Sequence, residues 1–214
     1  MHPQFWYERW TEDHIGFHQE TINSQLEAYW PRSADQRILV PLCGKSLDLR
    51  FLADFGSVVG VELSKIAIHD FFSEWDAAPL VSSVEGTSSS TANNVTLLEA
   101  NFFDVPSSFA AHFTHAYDRA AMIALPPEMQ MDYVRKLSEL LQSSGQVLCI
   151  TIEYPEDELS GPPFSIGIDA MIARASPYFD IECLSSENTW RPDSRLADEG
   201  LTELITHVFR LTKK

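Results

Sequence analysis

Two residues in the first third of the chain have types and spacing that suit the binding of a nucleoside. Gly44 stands in a turn after a short apolar run, and Glu62 ends a second apolar run 18 positions later (62 − 44). In nucleotide-binding folds, an acidic residue about 20 positions after the glycine turn binds the ribose hydroxyls. The spacing therefore predicts that Glu62 accepts hydrogen bonds from both ribose hydroxyls of a ligand held near Gly44.

The turn around Gly44 contains too few glycines for a ligand with phosphates. Dinucleotide-binding folds need G-x-G-x-x-G, because two phosphates approach the backbone at a helix N-terminus. A phosphate-binding loop ending in Gly44-Lys45-Ser46 would need glycine at position 39, where the chain has Leu39. The pattern favours a nucleoside without phosphates, such as S-adenosylmethionine. A nicotinamide or nucleotide enzyme and a non-catalytic α/β domain stay open as alternatives.

Candidate ligand-binding groups also follow two later apolar runs. Asn101 and Phe102 come directly after the run at 95–100, and Asp118-Arg119 ends the run that follows. Ligands of doubly wound folds bind beyond the carboxyl ends of the strands, so Asn101 and Phe102 suit an adenine ring through a polar edge and an apolar contact. Arg119 suits an anionic ligand in the same crevice. The plain alternative for Arg119 is an ion pair with Asp118.

The first 30 residues are unusually aromatic, and Trp6, Trp10 and Phe17 stand out among them. One interpretation is that these rings pack on the core of the protein. The other is a lid whose indole faces cover a ligand, because a sulfonium over such a face gains about 0.5–2 kcal/mol of cation–π energy. The two interpretations are compatible.

Other kinds of catalytic site find little support. The pairs His14/His18 and His112/His115 lack a third metal ligand, so no metal is expected. Cys43 has no discernible partner base and is expected to be structural. The absence of a G-x-S-x-G motif excludes an α/β-hydrolase.

Composition limits the class of protein further. A chain of 214 residues is most simply one domain. Its net charge of −16 repels phosphate backbones, so no nucleic-acid partner is expected. Its apolar runs are too short to span a membrane. Three widely spaced cysteines indicate a reducing, cytoplasmic location. No obligate protein partner is evident.

The elements that position these residues alternate along the chain. We expect seven strands, at 37–40, 58–61, 95–100, 109–119, 147–154, 179–184 and 203–211, with helices between them. They predict an α/β fold over 1–214, a doubly wound, mostly parallel, Rossmann-like sheet with helices on both faces. Residues 1–30 are expected to form the aromatic lid, and residues 79–94 a flexible surface excursion.

Six short motifs occur in order along the chain: Trp6-x-x-x-Trp10, Phe17–Glu20, Pro41–Lys45, Val59–Glu62, Asp118-Arg119 and Gly161–Phe164. Together they resemble the thiopurine S-methyltransferases, nearly end to end and most closely in their bacterial form. The resemblance implies a class I methyltransferase that uses S-adenosyl-L-methionine and releases S-adenosyl-L-homocysteine. It implies a small aromatic or heterocyclic thiol, or a selenol, as the methyl acceptor.

The resemblance also implies roles for single residues. Because a cation favours the thiolate form of a thiol, Arg119 is also expected to be catalytic, by favouring and holding the thiolate. The resemblance implies that the cofactor contacts Trp10, Leu42, Glu62, Asn101, Phe102 and Arg119. The glycine turn described above adds Gly44 to this set. The acceptor is implied to contact Phe17 and Arg195. Two alternatives stay open: a methyltransferase for another small acceptor, such as a halide or an amine, and a non-catalytic module that binds an adenosyl ligand.

Overall fold

The structure is a computed structural model that describes residues 3–214, and the nine strands among these residues form one sheet. The strands are β1 (Gln36–Pro41), β2 (Gly56–Glu62), β3 (Leu80–Val84), β4 (Thr87–Ala92), β5 (Val95–Glu99), β6 (Phe113–Arg119), β7 (Leu141–Glu153), β8 (Phe179–Asn188) and β9 (Ile205–Lys213). Their order across the sheet is β3-β4-β5-β2-β1-β6-β7-β9-β8. The central strands β5, β2, β1, β6 and β7 are parallel, and the strands at both edges pair antiparallel.

Helices cover both faces of the sheet. They are α1 (Pro3–Thr11), α2 (Ser24–Tyr29), α3 (Asp48–Leu52), α4 (Lys65–Glu74), α5 (Pro127–Leu140), α6 (Ile168–Ala175) and α7 (Arg195–Asp198). Successive residues of β1 point to opposite faces, so Ile38 packs with residues of α2, α3 and α4, and Leu39 packs with residues of α5 and α6. This arrangement confirms the predicted doubly wound α/β fold.

The central strands read as continuous apolar runs because both of their faces are buried. In β1, Ile38 and Leu39 have no exposed surface, and Val40 is nearly as well buried. β1 pairs along its whole length with β2, from Gln36 opposite Gly56 to Pro41 opposite Val61. The carboxyl ends of β1 and β2 therefore lie side by side, which brings the turn after β1 next to the acid that ends β2.

The sheet has nine strands, so the predicted count of seven was wrong. Both additional strands lie in segment 79–94, where a flexible surface excursion was expected. β3 and β4 form a hairpin through Glu85 and Gly86, whose φ values of 48° and 84° suit a two-residue turn between antiparallel strands. The hydroxyls of Ser82 and Ser89 lie 2.8 Å apart across the hairpin. Backbone pairing with β5 holds this segment in the sheet. The segment is rich in Ser and Thr, so its sequence lacks the alternation of apolar and polar residues that predicts a strand.

The N-terminal segment packs on the sheet through α2. Asn23 caps this helix, because its side-chain oxygen accepts hydrogen bonds from the backbone nitrogens of Gln25 and Leu26. Leu26 is fully buried, and Trp30 contacts Tyr117 of β6 edge-to-face. The predicted lid begins at Met1 and His2, which lie outside the described residues. The assignment of 1–214 to one domain stays a prediction.

Candidate active site

A cavity of about 440 Å³ lies at the carboxyl ends of the parallel strands, bounded on its other side by residues of the N-terminal segment. This is the edge of a doubly wound sheet at which ligands bind. Each of the predicted site residues lines it: Trp10, Phe17, Leu42, Gly44, Glu62, Asn101, Phe102, Arg119 and Arg195. The sequence thus predicted residues that the fold brings together, while the roles assigned to them stay predictions.

Glu62 is held in the cavity wall by the backbone around it. Its Oε2 accepts a hydrogen bond from the nitrogen of Gly44 at 2.9 Å, and its Oε1 accepts one from the nitrogen of Ser64 at 2.6 Å. Burial raises the pKa of the Glu62 carboxyl, and the hydrogen bonds from Ser64 and Gly44 partly oppose that rise. Glu62 is the only acidic residue among the described residues that line the cavity.

The turn after β1 requires a glycine at position 44. Gly44 has φ +54°, a value that residues with a Cβ rarely adopt. A Cβ built there would lie 3.1 Å from the indole ring of Trp10. Leu42, two residues earlier, also has a positive φ of 46°. The turn therefore brings the backbone of Gly44 close under the Trp10 ring.

Asn101 and Phe102 begin a short 3₁₀ helix directly after β5. The side-chain oxygen of Asn101 accepts a hydrogen bond from the nitrogen of Phe103 at 3.2 Å. Phe102 is buried, and its ring centre lies 4.9 Å from that of Tyr133 in α5. These contacts fix a polar and an apolar side chain at the cavity wall.

Arg119 ends β6 and pairs with Asp48, so the alternative of an ion pair with Asp118 was wrong. The Nε of Arg119 donates to Oδ2 of Asp48 at 3.0 Å. Adjacent strand residues point to opposite faces, and Asp118 accepts instead from the hydroxyl of Tyr133 at 2.7 Å and from the nitrogen of Met122 at 3.1 Å. Burial raises the pKa of Asp118 to about 6.

Aromatic rings of the N-terminal segment meet over the cavity. Phe17 contacts Trp10 edge-to-face with ring centres 5.7 Å apart, and it contacts Trp6 at 6.0 Å. The carbonyl of Phe17 accepts a hydrogen bond from Nη1 of Arg119 at 3.2 Å. The rings therefore form a wall of the cavity that is attached to β6.

Arg195 approaches the cavity from the C-terminal half of the chain. It begins the short helix α7 and forms an ion pair with Glu199 at 2.5 Å. A Cβ built on Gly16 would lie 2.8 Å from its Nε, so the arginine side chain packs directly on the N-terminal segment. Arg195 thus lines the cavity next to the segment that carries Phe17.

Some cavity residues were not predicted from the sequence. Ser46 accepts a hydrogen bond from Nη2 of Arg119 at 3.3 Å. His18 lines the cavity, and burial together with the nearby charge of Lys45 lowers its pKa. Lys45 pairs with Glu74 at 2.7 Å. The motifs Phe17–Glu20 and Pro41–Lys45 contain His18 and Lys45 and were the available signal for both.

Two kinds of feature are not found in the part of the chain that the structure describes. Across residues 3–214, no three His, Cys, Asp or Glu side chains are grouped so that they could hold a metal ion. None of the helices in this range is both long and apolar enough to cross a membrane.

Comparison with known proteins identifies the family. The model of the family "Thiopurine S-methyltransferase (TPMT)" matches residues 1–214. The thiopurine S-methyltransferase of Methylococcus capsulatus is 38% identical over 216 residues, which cover 99% of this chain and 97% of that protein. The protein of the same name from Shewanella woodyi is 36% identical over 222 residues and matches over the full length of both chains.

Solved structures of methyltransferases share the fold. The 1,6-didemethyltoxoflavin-N1-methyltransferase of Burkholderia thailandensis, with S-adenosylhomocysteine bound, aligns with a TM-score of 0.64 at 14% identity and covers 99% of this chain and 87% of its own. An arsenic(III) S-adenosylmethionine methyltransferase from Chlamydomonas reinhardtii aligns with a TM-score of 0.63 at 16% identity, over 89% of this chain and 70% of its own. The fold is that of the class I methyltransferases. The full-length family match confirms the resemblance seen in the sequence motifs, and the chain belongs to the thiopurine S-methyltransferase family.

Proposed function

We propose that the cavity binds S-adenosylmethionine beside a small aromatic or heterocyclic thiol, and that the protein moves the methyl group to the thiol sulfur. As a member of its family, the chain is an S-adenosylmethionine-dependent methyltransferase; the proposal adds the acceptor class and the residues. The observation that carries it is that two residues line one cavity: the buried carboxylate of Glu62 at the carboxyl end of β2, and the guanidinium of Arg119 at the carboxyl end of β6.

The cavity wall near β2 fits S-adenosylmethionine. The volume of about 440 Å³ lies within the roughly 300–1,000 Å³ of small-molecule sites. The Glu62 carboxylate has acceptor capacity beyond its two backbone bonds and suits the ribose hydroxyls. Asn101 and Phe102 offer the adenine ring a polar edge and an apolar contact. Gly44 lets the indole ring of Trp10 lie against the turn beside this wall.

The residues near β6 suit the acceptor. When bound, S-adenosylmethionine supplies a methyl group on a positively charged sulfur and leaves as S-adenosylhomocysteine. Arg119 stabilises the thiolate form of the acceptor, because a cation next to a thiol lowers its pKa. Arg195 and Phe17 hold the acceptor ring, and the proton of the thiol leaves to solvent. Leu42, in the turn after β1, completes the apolar contact with the cofactor.

The aromatic side chains reduce access of water to the reacting groups. Trp10 is only 7% exposed although it belongs to the N-terminal segment. Phe17 contacts both Trp6 and Trp10, and all three rings line the cavity, so they act as its lid in this proposal. In a site with less water, the attraction between Arg119 and a thiolate is stronger than in bulk solvent.

A thiol is favoured over an amine by the charges of the cavity. Among the described residues, four cationic side chains line it: Arg9 and, each in an ion pair with an acid outside the cavity lining, Lys45, Arg119 and Arg195. They repel a protonated amine and attract a thiolate or a selenolate. We also propose a cytoplasmic location, in line with three free cysteines, and no nucleic-acid or obligate protein partner.

The test is calorimetry with S-adenosylmethionine and S-adenosylhomocysteine, followed by methyl transfer to a panel of acceptors. The panel contains aromatic thiols, a heterocyclic thiol, a selenol, a halide and an amine. We expect binding of both cofactor forms and transfer to the thiols. Transfer to the halide or the amine alone would reassign the acceptor, and tight binding without any transfer would support the binding module instead.

A further inference from the structure

The guanidinium of Arg119 is held by three groups on different parts of the chain. Its Nε donates to Asp48 Oδ2 at 3.0 Å, its Nη1 donates to the carbonyl of Phe17 at 3.2 Å, and its Nη2 donates to Ser46 Oγ at 3.3 Å. These bonds use three of the five N–H groups of a guanidinium and leave one on each terminal nitrogen for a ligand. The direction in which Arg119 faces the cavity is therefore set by its partners.

Asp48 is the only charged member of this set, and it is 1% exposed. Besides Arg119, its Oδ2 accepts from the hydroxyl of Tyr117 at 3.0 Å, and its Oδ1 accepts from the backbone nitrogen of Asn23 at 2.9 Å. Its own nitrogen donates to Ser46 Oγ at 3.2 Å. Asp48 does not line the cavity, whereas Arg119 and Ser46 do. The carboxylate thus acts on the cavity only through its neighbours.

The same carboxylate links Arg119 to the N-terminal segment. Asp48 binds the nitrogen of Asn23, and Arg119 binds the carbonyl of Phe17, so the stretch from 17 to 23 is attached at both ends to one ion pair. The planar fork of a guanidinium donates in fixed directions, so the bond from Nε to Asp48 helps to set the direction of the two terminal nitrogens.

We propose that Asp48 is a positioning residue for methyl transfer, which fixes the Arg119 guanidinium toward the acceptor and couples that orientation to the attachment of the 17–23 segment. The inference rests on the proposed role of Arg119 in holding a thiolate. Asp48 touches neither cofactor nor acceptor, and its effect passes through the hydrogen bond to Arg119 Nε.

The chain offers a matched pair of variants. Asp48→Asn removes the negative charge and one of the two acceptor oxygens, whereas Tyr117→Phe removes another donor to the same Oδ2 and leaves the ion pair in place. Tyr117 does not line the cavity. We expect kcat/KM for an aromatic thiol to fall about tenfold in Asp48→Asn at neutral pH and to stay within twofold of the parent in Tyr117→Phe. The deficit of Asp48→Asn should shrink as pH rises and the thiol ionises unaided.

Two further measurements separate positioning from a purely structural role. In the parent, the Nε–H of Arg119 should give an NMR signal protected from solvent exchange. The protection should be weaker in Asp48→Asn, whose neutral side chain makes a weaker hydrogen bond, and unchanged in Tyr117→Phe. The double variant Asp48→Asn/Arg119→Ala should be no slower than Arg119→Ala alone, because the two residues act as a unit. If Arg119→Ala does not fold, Arg119→Gln, whose amide can donate to Asp48, takes its place.

The proposal is overturned if Asp48→Asn and Tyr117→Phe have equal kcat/KM, or if the double variant loses kcat/KM by the product of the two single losses. It is also overturned if the affinity for S-adenosylhomocysteine falls by the same factor as kcat/KM. The last result would assign the effect to the bond with Asn23 and the lid. A parent protein that methylates no thiol would refute the proposed function, and the NMR signal would still decide whether Asp48 holds Arg119.

Discussion

The Oε2 of Glu62 lies 2.9 Å from the backbone nitrogen of Gly44, so the end of β2 is tied to the turn after β1. The other carboxylate oxygen binds the nitrogen of Ser64. A carboxylate has about four acceptor positions, so acceptor capacity remains beside its bonds to backbone nitrogens. Glu62 is thus oriented toward the cavity by its own backbone surroundings, which lowers the entropic cost of binding a ligand.

Glu62→Gln should weaken binding of S-adenosylhomocysteine by about 1.5–3 kcal/mol, as expected for hydrogen bonds to a charged acceptor. Glu99→Gln is the control, because Glu99 ends the neighbouring strand opposite Glu62 and does not line the cavity. Titration calorimetry measures both. Equal affinities of the two folded variants and the parent would remove Glu62 from the binding site.

Because the pKa of Glu62 is raised, the affinity for the cofactor should depend on pH. Because the protonated acid accepts fewer hydrogen bonds, cofactor affinity should fall as pH decreases toward that raised pKa. The decline should begin at a higher pH than an ordinary glutamate would give, and it should be absent in Glu62→Gln.

Gly44→Ala should lower the free energy of unfolding by about 1–2 kcal/mol, the cost of the left-handed conformation for a residue with a Cβ. It should also displace Trp10, since the new Cβ would lie 3.1 Å from the ring. Gly86→Ala is the control, with φ +84° and nothing within 4 Å of its Cβ. We expect both variants to be destabilised, Gly44→Ala more strongly because it also displaces Trp10, and S-adenosylhomocysteine binding to weaken only in Gly44→Ala. Unchanged S-adenosylhomocysteine affinity in a folded Gly44→Ala protein would contradict a role of this turn in binding the ligand.

Trp10 distinguishes a lid from simple core packing. If it covers the cofactor, Trp10→Phe should abolish most of the change in tryptophan fluorescence on saturation with S-adenosylhomocysteine, and Trp10→Ala should raise the dissociation constant. Trp75→Phe, altered outside the cavity, should keep the fluorescence change. A Trp10→Ala protein with normal affinity and a lower melting temperature would support packing alone.

The sequence predicted the central strands and the cavity residues because both follow from local patterns. Continuous apolar runs mark the buried strands, and Gly44, Glu62 and Asn101 stand at their carboxyl ends, which a parallel sheet brings to one edge. The hairpin at β3 and β4 escaped prediction because its strands are polar, and backbone pairing rather than burial keeps them in the sheet.

The partner of Arg119 could not be read from the sequence. Asp118 is adjacent in sequence, but strand geometry turns its side chain to the opposite face, where it meets Tyr133. Asp48 lies 71 positions from Arg119 and begins a short helix, where an acid is expected for helix stability alone. A contact of this kind depends on packing between distant elements.

Asp118 should make stability depend on pH. Burial raises its pKa from 3.8 to about 6, so the folded protein binds the proton more tightly than the unfolded chain. The resulting stabilisation is complete below pH 3.8 and is lost as pH rises through about 6, at a cost of about 3 kcal/mol. Asp118→Asn lacks this titration, so urea unfolding should show the parent gaining stability relative to the variant as pH falls from 7 to 4. A constant difference between the two would refute the raised pKa.

Arg119 separates an enzyme for acidic thiols from a protein that only binds the cofactor. Arg119→Lys keeps the charge and loses the planar fork, so it should retain part of the activity on an aromatic thiol. Arg119→Ala should lose about tenfold or more in kcat/KM, with a loss that shrinks as pH rises, because the thiol then ionises without help. It should also be less stable, since Asp48 is left buried without its partner.

The measurement is a pH series of kcat/KM for the parent and both Arg119 variants, with folding checked by circular dichroism and S-adenosylhomocysteine affinity determined separately. A loss confined to low pH at unchanged cofactor affinity supports stabilisation of the thiolate. A loss that is the same at every pH assigns Arg119 to holding the acceptor ring or the lid, because neither role depends on the ionisation of the thiol. Equal activity of Arg119→Ala and the parent throughout would exclude Arg119 from the reaction.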